Sequence, residues 1–350
     1  MQAITAALIG TVGPHSSGWL ETLRLSPIVE RLLVCDVDTG VDSVEGVDAQ
    51  LGSLDELLSV AGIDMAILSL RNDQYPDAGR RLLERGIPLI IEKPVARTAA
   101  EIATLNTISA ASDTMWATGF LNRMLPLARE LKGLIHDGVL GRVVSVEARM
   151  VTSSVQQRNP DSWLFSKQQA GGGILHWLAI HSVDLIRYLT GLEYVDVSGH
   201  VATLSDTGID VEDMAALSFS MDNGAVGSLH AGYVLRERYG DIGITVRGTI
   251  GEAIWVQHGF GGADANQQLH VKSQAPGWEG SASKTIQVTP ATAVGGYGGE
   301  VGIKFVSDFA EAGVRKTGAF ITNGADALKA MQFVEAAYAA SDSHCHVKVP

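Results

Sequence analysis

The sequence predicts an α/β protein in two parts. Residues 1–121 read as a doubly wound parallel sheet of the Rossmann type, and residues 122–350 as an α+β domain with a mainly antiparallel open sheet. Three observations predict this. Up to Leu121, short continuous apolar runs alternate with helical patterns, the grammar of buried parallel strands joined by helices. Beyond Leu121, β-runs follow one another with turns such as Met221-Asp222-Asn223-Gly224 between them. The chain has 350 residues, enough for two domains of about 100–200 residues each.

In the first part, Ile4–Ile9 is an apolar run stopped by Gly10. A helix follows from Ser17 to Leu25, then strand Arg31–Asp36. Leu54–Val60 reads as a helix with Ser53 as its N-cap. Ile63–Leu70 is a strand, and Pro76–Arg85 is a helix closed by Gly86. Leu89–Glu92 is the fourth strand. Thr98 caps a helix to Ser112, and Met115–Thr118 is the fifth strand. In the second part, Pro126–His136 is a helix, Gly138–Gly141 a turn and Arg142–Val151 a long strand. Gly171-Gly172-Gly173 precedes an apolar helix, Ile174–Leu189, that stops at Gly191. β-runs fill Tyr194–Val288. Helices over Val301–Arg315 and Ala325–Ala340 precede a short last strand.

Composition excludes several classes. Apolar residues make up 46% and charged residues 19%, a globular balance. The net charge is −13, with Lys and Arg scattered, so neither a nucleic-acid backbone nor an anionic membrane meets a basic face. Cys35 and Cys345 are too few and too far apart for a disulfide framework or a zinc ribbon. The first apolar run is too short for a signal sequence or a membrane span, so a cytoplasmic protein with reduced thiols is expected.

Three motifs carry chemistry. The first turn reads Gly10-Thr11-Val12-Gly13-Pro14-His15. Against the dinucleotide pattern G-x-G-x-x-G, only Gly10 matches, with an extra Gly13; a plain strand–turn–helix would read the same way. Its place after the first strand, and Asp36 at the end of the second, where a carboxylate receives ribose hydroxyls, favour dinucleotide binding. An acid at Asp36 disfavours a 2′-phosphate, which points to NAD rather than NADP. The second motif is Glu92-Lys93-Pro94, at the carboxyl end of a strand where ligands of open parallel sheets sit. A solvent-facing lysine at a strand end is the plainer reading when the motif is taken alone. The third is the helix after the glycines. Trp177, His181 and Asp184 or Leu185 share one stripe, and a neutral histidine there is able to take a substrate hydroxyl proton, although a core histidine bonded to a carbonyl has the same pattern. His176 and His181 lie five apart, the wrong spacing for a metal on one α-helical face, so no metal site is expected.

Taken together, these pieces resemble the glucose–fructose oxidoreductase / inositol dehydrogenase family (Gfo/Idh/MocA). The resemblance runs over most of the chain, through IDMAILSLRND, GIPLIIEKPVA, ATGFLNRMLP, LKGLIHDGVLGRVVSVEARM, AGGG and HSVDLIRYLTG. It implies NAD(P)-dependent oxidation of a secondary alcohol on a sugar, sugar derivative or cyclitol. It also implies a homodimer or homotetramer built through the C-terminal sheet. By position, Lys93 matches the active-site lysine and His181 the general acid/base. Gly10, Val12, Gly13, Asp36, Leu70, Arg71, Asn72, Glu92 and Arg123 fall at or beside the cofactor. Gln157 stands at a substrate-contacting position. Trp163 stacks on a sugar or packs the domain. Two departures stand out: Trp177 replaces a carboxylate four residues before the histidine, and Val12 and His15 replace glycines. His176 is a polar neighbour, but about 100° around an α-helix from Trp177. Relatives also include redox-neutral NAD-dependent glycosidases and non-catalytic dinucleotide-binding regulators, which stay as alternative readings.

Overall fold

The computed structural model describes residues 3–11, 13–36, 44–237, 240–258, 267–278, 283–288 and 294–350. The chain divides into two compact units, one of residues 1–121 and 293–328, the other of 122–292 and 329–350. The expectation for Val12 lies outside the described residues.

The first unit runs β1 (Ile4–Ile9), α1 (Ser16–Leu25), β2 (Val29–Cys35), β3 (Ala49–Leu51), α2 (Leu54–Ser59), β4 (Met65–Leu68), α3 (Tyr75–Glu84), β5 (Leu89–Ile91), α4 (Ala99–Ser112) and β6 (Trp116–Thr118). The strands form one parallel sheet in the order β3-β2-β1-β4-β5-β6. Its central strands β1, β4 and β5 are mostly apolar and almost wholly buried, as expected where helices cover both faces of a parallel sheet. Helix starts follow local chemistry. Ser53 accepts from the Glu56 N–H, and Thr98 and Glu101 form a reciprocal capping box. The short edge strand β3 was not expected. Its three half-buried residues carry no period that marks a strand.

The second unit contains α5 (Pro126–His136), β7 (Val143–Ser153), α6 (Lys167–Ala170), α7 (Ile180–Thr190), β8 (Tyr194–Ala202), β9 (Met214–Met221), β10 (Val226–Leu235), β11 (Gly240–Gly248), β12 (Gly251–His258), β13 (Gln267–Ser273) and β14 (Lys284–Val288). Next come α8 (Glu300–Phe309), which belongs to the first unit, α9 (Gly324–Ser343) and β15 (Val347–Lys348). The nine-stranded sheet has the order β14-β13-β12-β11-β7-β10-β9-β8-β15. All neighbours are antiparallel except β7 and β10. In β7 Ala148 and Met150 turn inward, while Glu147 and Arg149 turn out to ion pairs with Arg247 and Asp241. Tyr194, Phe219 and Phe333 form the aromatic centre of this unit.

Residues 293–328, read from the sequence as part of the second domain, fall in the first unit. Side-chain packing and hydrogen bonds explain why. Phe305 lies beside Trp19, and Phe320 packs edge-on to Phe305 and Phe309. The Thr322 hydroxyl donates to the Thr118 carbonyl at 2.8 Å, and Asn106 Nδ2 donates to the Gly324 carbonyl at 3.0 Å. The expected single helix over Ile174–Leu189 is also different: residues Leu175–Ala179 form a π turn, and α7 starts at Ile180. Another π turn, Ala310–Val314, follows α8. Among the described residues no helix is long and apolar enough to cross a membrane.

Candidate active site

The carboxyl ends of β1, β2, β4 and β5 bring Gly10, Asp36, Ser69–Asn72 and Glu92-Lys93 to one edge of the parallel sheet, where β1 and β4 are neighbours and the chain reverses direction across the sheet. That edge is where open α/β sheets bind ligands. Gly10 has φ +94°, and a Cβ there would collide with the Ser69 carbonyl. A Cβ on Gly13 would sit 2.7 Å from the same oxygen. The two glycines therefore let the turn lie against the end of β4, and Ser16 Oγ locks it by donating to the Ser69 carbonyl at 3.1 Å. Gly13 does a job that the strict fingerprint gives to another position.

Asp36 is buried, and its Oδ1 accepts from the Thr11 hydroxyl at 2.9 Å. A carboxylate at the end of the second strand is the group that meets ribose hydroxyls in the dinucleotide pattern. The first turn of α1 carries no acidic side chain of its own. Close glycine packing, a strand-end carboxylate and an acid-free helix start fit a dinucleotide. Leu70 and Asn72 are buried beside this edge. Arg71 is partly exposed and paired with Asp73 at 3.2 Å.

Lys93 is fully buried. It stands at the end of β5, in a turn with a cis Lys93-Pro94 bond and Val95 at φ +79°. The left-handed region is costly for a β-branched residue, of order 1–3 kcal/mol. It is held by the Val95 N–H donating to the Glu92 carbonyl at 3.1 Å and by complete burial of Val95 and Ala96. Burial pulls the Lys93 ammonium down to about 8, against the opposing pull of the Glu92 charge. Burial alone would raise the Glu92 carboxyl. The charge and hydrogen bond of His15, the Lys93 ammonium and the Trp19 N–H outweigh it and hold Glu92 below the usual carboxylate range.

In the second unit the three glycines are packing positions. A Cβ on Gly173 would overlap the Glu212 carbonyl, and one on Gly172 would overlap the Tyr338 hydroxyl. Glu212, which sequence reasoning missed, organises this corner. It accepts from the Gly173 N–H at 2.7 Å, the Leu175 N–H at 2.9 Å and the Tyr338 hydroxyl at 3.0 Å. It thus satisfies donors at the start of the π turn. Burial nevertheless raises the Glu212 carboxyl. The only sequence signal was an acid, Val211-Glu212-Asp213, just ahead of an apolar strand.

His176, Trp177 and His181 are all buried. The π turn changes their relation. With i→i+5 bonding, residues five apart come onto the face that residues four apart share in an α-helix. His176, about 100° from Trp177 on an α-helix, lies inside this turn, so the α-helical angle does not apply to it. Trp177 packs edge-on against Trp163, ring centroids 5.7 Å apart. The position where a carboxylate was expected thus belongs to a pair of indoles.

Arg123, expected beside the cofactor, is committed within its own unit. It makes a buried bidentate pair with Asp184, Nε–Oδ2 2.9 Å and Nη2–Oδ1 2.5 Å. Asp184 lies three residues after His181 on α7, so the pair fixes the helix that carries the histidine. Gln157 donates to the Arg236 carbonyl at 2.6 Å. Among the described residues no group of three or more His, Cys, Asp or Glu side chains is arranged to hold a metal ion.

Residues 24–120 match the model of an oxidoreductase family with an NAD-binding Rossmann fold, and residues 128–254 match the C-terminal domain model of the same family. Levoglucosan dehydrogenase of Pseudarthrobacter phenanthrenivorans is 27% identical over 216 residues, 55% of each chain. A myo-inositol dehydrogenase of Streptomyces leeuwenhoekii is 27% identical over 268 residues, 73% of this chain and 78% of that one. The chain thus matches only about half the length of the first relative. A solved levoglucosan dehydrogenase in complex with NADH superposes with a TM-score of 0.86 over all of both chains at 22% identity. An oxidoreductase domain protein from Kribbella flavida does so with 0.86 at 20%. At that identity the solved structures show a shared fold. The chain belongs to the Gfo/Idh/MocA oxidoreductase family, and its N-terminal unit is an NAD-binding Rossmann domain.

Proposed function

We propose that this protein is an NAD-dependent dehydrogenase acting on a secondary alcohol of a sugar, a sugar derivative or a cyclitol. The observation that carries the reading is Lys93: a fully buried ammonium at the carboxyl end of β5, the kind of strand end where open parallel sheets take ligands. When bound, the dinucleotide supplies the hydride acceptor. Lys93, protonated below about 8, donates to the substrate oxygen and favours the developing negative charge. His181 takes the hydroxyl proton. Asp36 receives the ribose hydroxyls and selects NAD over NADP. Relatives named for levoglucosan and myo-inositol support a polyhydroxylated ring as substrate. The indole pair of Trp163 and Trp177 supplies an apolar surface of the kind that stacks on such a ring.

The test is a binding titration with NAD and NADP, followed by a polyol and sugar panel read by nicotinamide absorbance. NAD is expected to bind more tightly, and at least one cyclic polyol to drive reduction. Failure of both dinucleotides to bind would overturn the reading. Binding without turnover across the panel selects a regulatory protein, the reading that Trp177 in place of a carboxylate favours. Hydrolysis with unchanged absorbance selects the redox-neutral glycosidase. We also propose that copies associate through the outer face of the nine-stranded sheet, where Val226 and Val234 stand exposed. Light scattering showing a monomer at micromolar concentration would contradict this.

A further inference from the structure

We infer that Glu92 is a positioning residue for Lys93, a buried counter-ion pinned from α1 by Trp19 and His15, rather than a ligand of the cofactor. The inference rests on reading Lys93 as the group that meets the substrate oxygen. Both carboxylate oxygens are engaged inside the unit. Oε2 accepts from Trp19 Nε1 at 2.6 Å and lies 3.3 Å from His15 Nδ1. Oε1 accepts from the backbone N–H of Lys93 at 3.0 Å. Glu92, Trp19 and Lys93 are each at most 1% exposed.

The pins are themselves held. The His15 ring stacks on Tyr297, centroids 4.2 Å apart and planes 19° apart, and Tyr297 meets Trp19 edge-on at 5.0 Å. The Tyr297 N–H donates to the Gly18 carbonyl at 2.9 Å and to Thr22 Oγ1 at 2.8 Å. A glycine at position 15, as the dinucleotide pattern has it, would leave Tyr297 without its stack and Oε2 with one fewer donor. The departure from the pattern therefore belongs to the lysine's support. The titratable groups facing Glu92 are His15 from the turn, Tyr75 from α3, Lys93 from its own strand end and Tyr297. Burial, then the Glu92 charge, pushes Tyr75 and Tyr297 well above the usual phenol range, so both stay neutral. The charge that supports the ammonium is that of Glu92.

The test uses cofactor-free protein carrying [6-¹³C]lysine, with the Lys93 Cε signal assigned by its loss in Lys93→Met. In the native protein the signal should titrate near 8. In Glu92→Gln, isosteric but uncharged, the midpoint should fall by about one pH unit or more. In Trp19→Phe, which removes the N–H and leaves the backbone unchanged, it should fall by less. An unmoved midpoint in Glu92→Gln, with NAD affinity at least tenfold weaker, would make Glu92 a cofactor ligand and overturn the inference. If Glu92→Gln does not fold, Trp19→Phe decides, and an unmoved midpoint there overturns it. Retained turnover in Lys93→Met would instead defeat the catalytic reading and leave the titration result standing.

Discussion

Lys93 costs the fold stability, and the cost is measurable. Its ammonium falls from 10.5 to about 8 on folding, which corresponds to about 3 kcal/mol at roughly 1.4 kcal/mol per pH unit. The sign follows from proton counts. Below about 8 the lysine is charged in both states, so the folded state bears the full penalty. Between about 8 and 10.5 the folded protein has released a proton that the unfolded chain keeps, so stability rises with pH. Lys93→Met is expected to be more stable at neutral pH. Glu92, left without its counter-ion, takes back part of the gain, leaving about 1–2 kcal/mol. That lead should disappear as the pH passes 10.5, and urea unfolding at several pH values checks it. The same substitution should lower kcat/KM by about 10²–10³-fold, as loss of a preorganised donor does. In the native enzyme kcat/KM should fall above about 8, and Lys93→Arg should lack that limb. A rate that climbs through 8 to a plateau would mean that Lys93 works as a base. The positions of Lys93 and Asp36 at the ends of strands were legible in the sequence, because each follows a short apolar run. Trp19, Tyr297 and Glu212 were not, because their partners lie far along the chain: the Tyr297 N–H bonds to Thr22 across 275 residues, and the Tyr338 hydroxyl to Glu212 across 126.

The element most altered from its sequence pattern is the helix that carries His181. Its apolar residues predict an unbroken α-helix, and at the level of composition it is one. The π turn at Leu175–Ala179 leaves no mark in hydrophobic period because almost every side chain there is buried. What it changes is register, which places His176 by residues five apart instead of four. The element's start is fixed by packing and not by propensity. Gly173 sits against the Glu212 backbone with no room for a methyl group, and the Glu212 carboxylate takes the first N–H donors. Gly173→Ala should therefore destabilise the protein by about 3 kcal/mol or more, as overpacking does when only backbone can give way. Gly133→Ala is the matched control. Gly133 lies inside α5 with nothing within 4 Å of an added Cβ, so alanine should stabilise by about 0.5–1 kcal/mol. Equal midpoints for the two variants in urea would refute this account of the glycine run. Glu212→Ala should cost about 2–3 kcal/mol by stranding buried donors.

At the scale of the molecule, the two-part organisation was legible from the change of pattern near Leu121, but the return of residues 293–328 to the first unit was not. Local pattern cannot report it, because α8 is an ordinary amphipathic helix whose destination is set by complementarity to α1 and not by its own period. The consequence is that residues 1–121 do not complete the first unit's core. Trp19, wholly buried, leans on Tyr297 and Phe305, and Phe309 and Phe320 continue the same cluster. Cutting the chain at 121 would bare these apolar surfaces and remove the stack that holds His15, and with it one pin on Glu92. A large aromatic side chain contributes roughly 1.5–3 kcal/mol by burial, and domains have only about 5–15 kcal/mol of net stability. A fragment of residues 1–121 should therefore lack a cooperative unfolding transition, while 1–121 joined to 293–328 by a flexible linker should show one by circular dichroism. If the short fragment unfolds cooperatively with the same midpoint as the joined one, then α8 is an attachment to the first unit and not part of its core.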